Sequence, residues 1–420
     1  MRIGINCLDL NDRMGGLRQY GQRLIRELLD NDGDNNYVVF HSRDNGHEIE
    51  LIGSGRMRDV ARPVSGYGEL FCKLEDIDLY FCPFASLWPR PLPVASVVNL
   101  SDIQEVFYPQ FFTQEALESR KRNYLPSTRR ADSVLTVSEF SKRTLVEHHG
   151  ISPDKIFVAY HCAEESMFIS PPGDPLRQFT LPDRFIFYPA NYWHHKNHDV
   201  LLRALGLLRK EKGVVVPCVL TGHEADNGYP IQQKIVEYGL VDQVRLLGYV
   251  TNEEIRALFH RAEALCFPSL FEGFGMPLVD AMAAGLPITC ADAASIPEVV
   301  GDAGMLFDPG SHEDLADKLA SLWGSRRMQD ELVDAGRERV KVFTAANMVK
   351  VHLDAFRAAC ATSDPEAKGF YRNEVWGPLM QAGEAHAAAH SLSDQLNTIQ
   401  SSLAWRSTAP LRRLIDFVRK

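Results

Sequence analysis

The chain has 420 residues, 45% of them hydrophobic and 24% charged, with a formal net charge of −10. That length supports about two to three domains with sizeable cores, the composition is that of an ordinary soluble globular protein, and the acidic excess argues against general nucleic-acid binding. The eight cysteines (positions 7, 72, 82, 162, 218, 266, 290 and 360) form no C-x-x-C pair, and several sit in apolar runs. They read as reduced, buried small hydrophobes of a cytosolic protein. No stretch approaches the roughly 18 apolar residues of a membrane span, and the strand-like start at Met1 leaves no visible signal peptide.

Residues 2–8 read as an apolar strand, followed by a polar loop to Gly15 and Gly16. Leu17, Tyr20, Leu24, Ile25, Leu28 and Leu29 then recur at helical spacing. Strand, Gly-Gly loop and helix open a nucleotide-binding type of α/β unit, although Gly-Gly is equally a plain turn. Further strands are expected at 37–40, 78–82, 94–100, 133–137 and 155–159. The strand at 94–100 ends in Ser101-Asp102, and the aromatic run 106–112 after it reads first as loop packing and second as a binding cradle. A helix from about Gln114 carries Arg120, Lys121, Arg122, Arg129 and Arg130, read as a solvated face.

The proline- and glycine-rich segment 170–182 is the expected interdomain linker. Beyond it strands are expected at 184–188, 214–220, 244–247, 264–267, 287–290 and 305–307, with a helix from about Asn197. Strands alternating with helices predict parallel, doubly wound α/β sheets. Helices follow at 326–342 and 345–359. The tail at 391–420 ends in a basic amphipathic stretch, with Arg406, Arg412, Arg413, Arg419 and Lys420 beside Trp405, Leu411, Leu414, Ile415, Phe417 and Val418. An interfacial membrane contact is one reading; a helix docked on its own domain or on a partner is the other.

The stretch 268–287 carries the strongest chemical pattern. After the strand at 264–267 come an acid, Glu272, the loop Gly273-Phe274-Gly275, and Pro277, which suits a first helical position because its missing N–H is not needed there. Leu278, Val279, Ala281, Met282 and Ala283 make a short apolar helix closed by Gly285. Strand, glycine loop and helix aim backbone N–H groups at a guest above the strand ends, and the natural guest is a phosphate.

Together with Gly248-Tyr-Val-Thr-Asn-Glu-Glu254, Ser295-Ile-Pro-Glu-Val-Val-Gly-Asp-Ala303, Thr136-Val-Ser-Glu-Phe-Ser141 and Trp193-His-His-Lys-Asn-His198, this stretch resembles the retaining family 4 glycosyltransferases. The resemblance covers most of residues 1–360. It implies the GT-B architecture, an α/β fold of two facing Rossmann-like domains with parallel sheets. Residues 1–170 would form the acceptor domain and 171–344 the nucleotide-sugar domain. The helix at about 345–360 would cross back onto the first domain, leaving 361–420 as a helical tail.

The resemblance also implies roles. Glu272 stands where the family's acid approaches the donor sugar, and Lys196 where a lysine neutralises the leaving diphosphate. Gly273, Phe274, Gly275, Met276, Pro277 and Leu278 would present loop backbone and helix N-terminus to the donor. Asp280 takes the place of a glutamate that grips the ribose, one methylene shorter; its other reading is a first-turn acid favoured by the helix dipole. Asn191 replaces a common arginine. Gly15 and Gly16 match the loop approaching donor phosphate and acceptor. Asp102 is kept, while Ser101 replaces a frequent histidine.

No metal or cofactor is expected. His194, His195 and His198 could be imagined as a metal cluster, but adjacent histidines point in different directions and the family needs none. The implied activity is a retaining, metal-independent hexosyltransferase of surface-polysaccharide or lipopolysaccharide synthesis. Its donor would be a nucleotide diphosphate sugar, with GDP-mannose preferred, and its acceptor a glycan or lipid-linked oligosaccharide. No nucleic-acid partner is expected. The setting would be cytoplasmic, peripheral on the inner membrane face if the tail binds a membrane or an assembly partner. The rivals are a non-catalytic nucleotide-sugar-binding relative in an assembly complex, a nucleotide-sugar epimerase, and a soluble sucrose- or trehalose-type synthase.

Overall fold

The structure is a computed structural model that describes residues 1–65, 69–70, 73–88, 90, 92–223 and 228–376. The basic tail expected at 391–420 lies outside the described residues. The described strands form two wholly parallel sheets. The first contains β1 (Arg2–Asn6), β2 (Asn36–Ser42), β3 (Ala61–Val64), β4 (Leu79–Cys82), β5 (Ala95–Asn99), β6 (Ser133–Thr136) and β7 (Ile156–Val158), in the order β3-β2-β1-β4-β5-β6-β7. The second contains β8 (Ile186–Pro189), β9 (Cys218–Thr221), β10 (Val244–Leu246), β11 (Ala264–Phe267), β12 (Ile288–Ala291) and β13 (Gly304–Phe307), in the order β10-β9-β8-β11-β12-β13.

Parallel strands need helical crossovers on both faces, so their central residues are buried on both sides and read as apolar runs. β4, β5, β11 and β12 are buried at every position. β3 was not legible in this way. Only Val64 of its four residues is buried, and it carries Arg62 and Pro63 on an edge, where charge and proline block further pairing. The strand expected at 214–220 shortens to β9 because Pro217 has no N–H for a ladder.

Each sheet reverses direction at one point. The chain leaves β1 for β2 and β3, then returns to β4 on the other side of β1; it does the same around β8 with β9, β10 and β11. Ligands of such sheets bind outside the carboxyl ends of the strands at that reversal. The loops after β8 and β11 are therefore the ones placed to act, and they hold Lys196 and Glu272.

The Ala345–Thr362 helix begins on a Thr344 side chain that accepts from the Asn347 amide, at 3.2 Å. It then packs on the first sheet: Met348, Val349, Ala355, Phe356 and Ala359 are buried in one cluster with Ile3, Leu24, Phe81 and Val97. The chain thus starts and ends its described course on the same domain.

Gly222, after β9, shows how tightly the second sheet's loops are fitted. Its φ is +133°, and a Cβ there would lie 2.3 Å from the Ala190 carbonyl oxygen. Backbone cannot yield as a flexible side chain can. Gly222→Ala should lower unfolding free energy by about 2–4 kcal/mol in urea titration. Gly206→Ala, in the middle of the His198–Lys212 helix with nothing within 4 Å of the new carbon, should instead be neutral or stabilising by about 0.5–1 kcal/mol.

Candidate active site

The loop after β8 folds into a single tight turn, His194–Lys196, and ends on Asn197 in the left-handed conformation. Hydrogen bonds fasten it to the β11 loop, to β8 and to the turn after β13. The Leu270 amide donates to the His195 carbonyl (2.8 Å), and Asn197 Nδ2 donates to the carbonyls of Pro268 (3.1 Å) and Pro309 (2.9 Å). The buried Tyr188 hydroxyl donates to the Lys196 carbonyl (3.0 Å) and sits 2.9 Å from Ser269 Oγ. So held, Lys196 Nζ donates to Glu272 Oε1 at 2.6 Å, the two side chains being 19% and 14% exposed.

Glu272 is braced from behind. Ser295 Oγ donates to the carbonyls of Glu272 (2.9 Å) and Phe274 (3.3 Å). Past it, Gly275 caps the Met276–Ala284 helix, and Pro277 is its second residue rather than its first. The loop meets the other domain at Gly273. A Cβ there would fall 2.8 Å from Asp102 Oδ2 and 2.9 Å from the Ser101 carbonyl, so only glycine fits. Ser141 Oγ also reaches the Gly273 carbonyl, at 3.4 Å. Asp102, Glu272 and Lys196 are brought together across the cleft. Burial lifts the Asp102 carboxyl above its ordinary range; the Gln104 amide, Arg120 and Lys196 oppose that lift, and Glu272 adds to it.

The remaining expected residues divide. Gly15 and Gly16 open the Gly16–Asn31 helix; a Cβ at Gly15 would meet nothing within 4 Å, while one at Gly16 would lie 3.7 Å from Met276 Cε of the other domain. The Phe274 ring is buried against Tyr160, His161 and Phe343, and Leu278 is fully buried, so both contribute to the cleft through backbone alone. Asn191 Oδ1 accepts from the His223 amide at 3.0 Å. The three histidines diverge. His194 stacks on Phe111, while His198 is buried among Tyr188, Tyr192 and Tyr229 and pushed down to about 3 by burial and Lys196. Burial and Lys196 push His195 down to about 2.

The aromatic run at 106–112 packs, as its first reading expects, and does so across the cleft: Phe107 and Tyr108 lie against Phe271, at ring separations of 5.3 and 6.0 Å. One expectation changes. Arg120 is not simply a solvated side chain; it donates to Glu105 at 3.0 Å and lies over the Phe112 and Tyr124 rings. Arg23 was not anticipated at all. It donates to the Cys162 carbonyl (2.8 Å) and to Glu164 (2.9 Å), and its Nη1 lies 3.8 Å from Asp280 Oδ1, a buried oxygen with no hydrogen-bond partner. Burial pushes the Asp280 carboxyl up to about 6, with Arg23 pulling down and Glu164 pushing up.

That shift has a sign for stability. Folded Asp280 holds its proton to higher pH than the usual 3.8, so between those values the folded state binds more protons than the unfolded one. Stability is then lost as pH rises through about 4 to 6, by roughly 3 kcal/mol. In Asp280→Asn this component should vanish. Urea titrations of both proteins at pH 4, 5, 6 and 7 should show the wild type losing ground to the variant as pH rises; parallel curves would contradict the assignment.

Residues 177–339 match the family model described as Glycosyl transferases group 1. The chain is 26% identical over 267 residues to the O-antigen chain mannosyltransferase B of Escherichia coli, covering 62% of this chain and 70% of that one. It is 33% identical over 242 residues to the MMP alpha-(1->4)-mannosyltransferase of Mycolicibacterium hassiacum, covering 55% and 57%. Among solved structures, the sucrose-phosphate synthase of Thermosynechococcus elongatus superposes with a TM-score of 0.69 at 18% identity, over 86% of this chain and all of that one. The fold is the GT-B architecture of two Rossmann-like domains.

Proposed function

We propose that this chain, whose residues 177–339 match the group 1 glycosyltransferase model, is a retaining, metal-independent hexosyltransferase that acts in surface-polysaccharide synthesis. The observation that carries this reading is the Lys196–Glu272 pair at the strand reversal of the second sheet, with Asp102 of the first domain closing over it. A nucleotide diphosphate sugar would part the pair. Lys196 would turn to the diphosphate, and Glu272 would accept from sugar hydroxyls and favour positive charge at the anomeric carbon.

As the C–O bond to the diphosphate breaks, the electron pair goes to the leaving oxygen. The acceptor hydroxyl adds to the anomeric carbon from that same face and gives its proton to the departing phosphate, which retains the anomeric configuration. The protein's part is positioning and electrostatics. Lys196 supplies the positive charge that the departing diphosphate requires, so the step calls for no divalent metal. GDP-mannose is the proposed donor; the names of the two mannosyltransferases that the chain is similar to support the mannose, and the nucleotide is left to the screen below. A growing lipid-linked glycan is the proposed acceptor.

A thermal-shift screen of GDP, UDP, dTDP and their sugars tests the donor, since a ligand at 100 times its dissociation constant adds about 2.7 kcal/mol. GDP and GDP-mannose should raise the melting temperature most. Lys196→Ala should weaken GDP binding roughly 10- to 150-fold, the value of one charge-assisted hydrogen bond, while guanosine binding is unchanged. Equal losses for both would refute the role of Lys196. Glu272→Gln should retain GDP and lower transfer from GDP-mannose by about 100- to 1,000-fold.

A further inference from the structure

Away from the Lys196–Glu272 pair, one carboxylate of the second domain is spent wholly on the first. Glu298 lies in the short Ile296–Val300 helix, three residues after the Ser295 that braces the Glu272 loop. Its Oε1 accepts from the Glu139 amide at 2.7 Å and from the Tyr160 hydroxyl at 2.9 Å; its Oε2 accepts from the Phe140 amide at 2.8 Å. Glu139 and Phe140 are the first two residues of the Glu139–His149 helix. The next two amides of that helix are met from within their own domain, Ser141 N by Ser138 Oγ and Lys142 N by the Ser138 carbonyl, each at 3.0 Å. A helix leaves four N–H groups without intrahelical partners at its start. The Lys142 amide makes the first regular i→i−4 bond; of the amides ahead of it, those of Glu139 and Phe140 are satisfied by the opposite domain, and a carboxylate is the charge the helix dipole favours there.

Glu298 is itself held in place. Arg339 donates through Nη2 to the Glu298 carbonyl (2.6 Å) and through Nε to the Val299 carbonyl (3.0 Å). The same guanidinium lies over the Phe343 ring, which packs edge-on against Tyr160 and Phe274. The Ala163 amide donates to the Phe343 carbonyl at 2.9 Å. Residues 339–343 are where the chain leaves the second domain for the helix that packs on the first. Domain contact, chain crossover and the backing of the Glu272 loop therefore meet within one node.

We propose that Glu298 is a positioning residue that ties the approach of the two domains to the geometry of the Glu272 loop, by capping the Glu139–His149 helix from the opposite domain. With the domains apart, the Glu139 and Phe140 amides and the Tyr160 hydroxyl lose their acceptor. With the domains together, the same segment fixes Ser295 behind the Glu272 and Phe274 carbonyls while Gly273 seats on Ser101 and Asp102. The catalytic consequence rests on the glycosyltransferase reading; the capping and the closure do not.

The test uses the full chain with Glu298→Ala, Tyr160→Phe and the double variant. Three readouts are compared: amide hydrogen exchange, GDP affinity by calorimetry, and steady-state transfer from GDP-mannose. In Glu298→Ala, exchange at Glu139 and Phe140 should accelerate about tenfold or more. GDP affinity and the KM for GDP-mannose should be unchanged, while kcat falls about 10- to 100-fold. Tyr160→Phe, which removes one bond of the three from the other domain, should lower kcat less, and the double variant should be no worse than Glu298→Ala. Unchanged exchange, additive losses, or GDP affinity falling in step with kcat would each overturn the proposal. If Glu298→Ala does not fold, Tyr160→Phe alone decides, a wild-type kcat with unchanged exchange at Glu139 overturning it. Accelerated exchange in a protein whose wild type transfers no sugar would support the cap and count against the proposed activity instead.

Discussion

The site depends on an ion pair that is costly to bury. Lys196 and Glu272 come from loops 76 residues apart, meet at 2.6 Å, and are both mostly withdrawn from water. Removing two charges from water costs several kcal/mol per ion, and their attraction recovers this only with good geometry and further hydrogen bonds. Such a pair is a poor device for stability alone. Its surroundings indicate another use: tyrosine, asparagine and serine side chains hold the two loop backbones, and the charged ends are left to each other. A dianionic guest would find its cation already desolvated, with the neighbouring carboxylate free to turn to hydroxyl groups.

Around that pair, buried or half-buried carboxylates do different work because their partners differ. Asp102 is lifted by burial at the domain contact, and Asp280 is lifted to about 6 beside Arg23. Glu298 receives three donors and bridges the domains. Environment, not residue type, sets which carboxylate holds a helix, which faces a lysine and which keeps its proton above the usual carboxylate range. Asp280 is the instructive case. One methylene shorter than a glutamate, it stops 3.8 Å from Arg23 with one oxygen unpartnered. A hydroxyl donor would satisfy that oxygen.

Much of the fold was legible because parallel sheets bury both faces of each strand. The apolar runs at 79–82, 264–267 and 288–291 could hardly be read otherwise, and their alternation with helical segments carried the doubly wound order. β3 escaped because an edge strand guarded by Arg62 and Pro63 has no such run. At the site, Glu272, Lys196 and the glycine loop were legible because their chemistry is local: an acid, a glycine turn and a helix start within a few residues. Arg23, Ser295 and Glu298 were not, since nothing near Arg23 or Glu298 in sequence announces Asp280 or the Phe140 amide. Ser295 and Glu298 lay inside a recognised motif without a role attached to either. Arg120 reads from sequence as solvated because a charge on a helix does not show that the Phe112 ring ahead of the helix and the Tyr124 ring one turn on lie against it.

The long-range contacts also explain why the crossing helix matters to a site it does not touch. Ala345–Thr362 buries its apolar face in the first domain's core, yet it is joined through residues 339–343 to the second. Phe343 sits between Tyr160 of one domain and Phe274 of the Glu272 loop, so a shift of the crossover would be felt at the loop backbone before it reached the charged ends. Close-packed aromatic contacts resist gradual deformation. The approach of the domains should accordingly behave as a step between discrete packings, with Gly273 seated on Ser101 and Asp102. On the proposed function, a cleft that closes in this way would align its charged groups only when both domains are seated and would keep the sugar donor from water until an acceptor is in place.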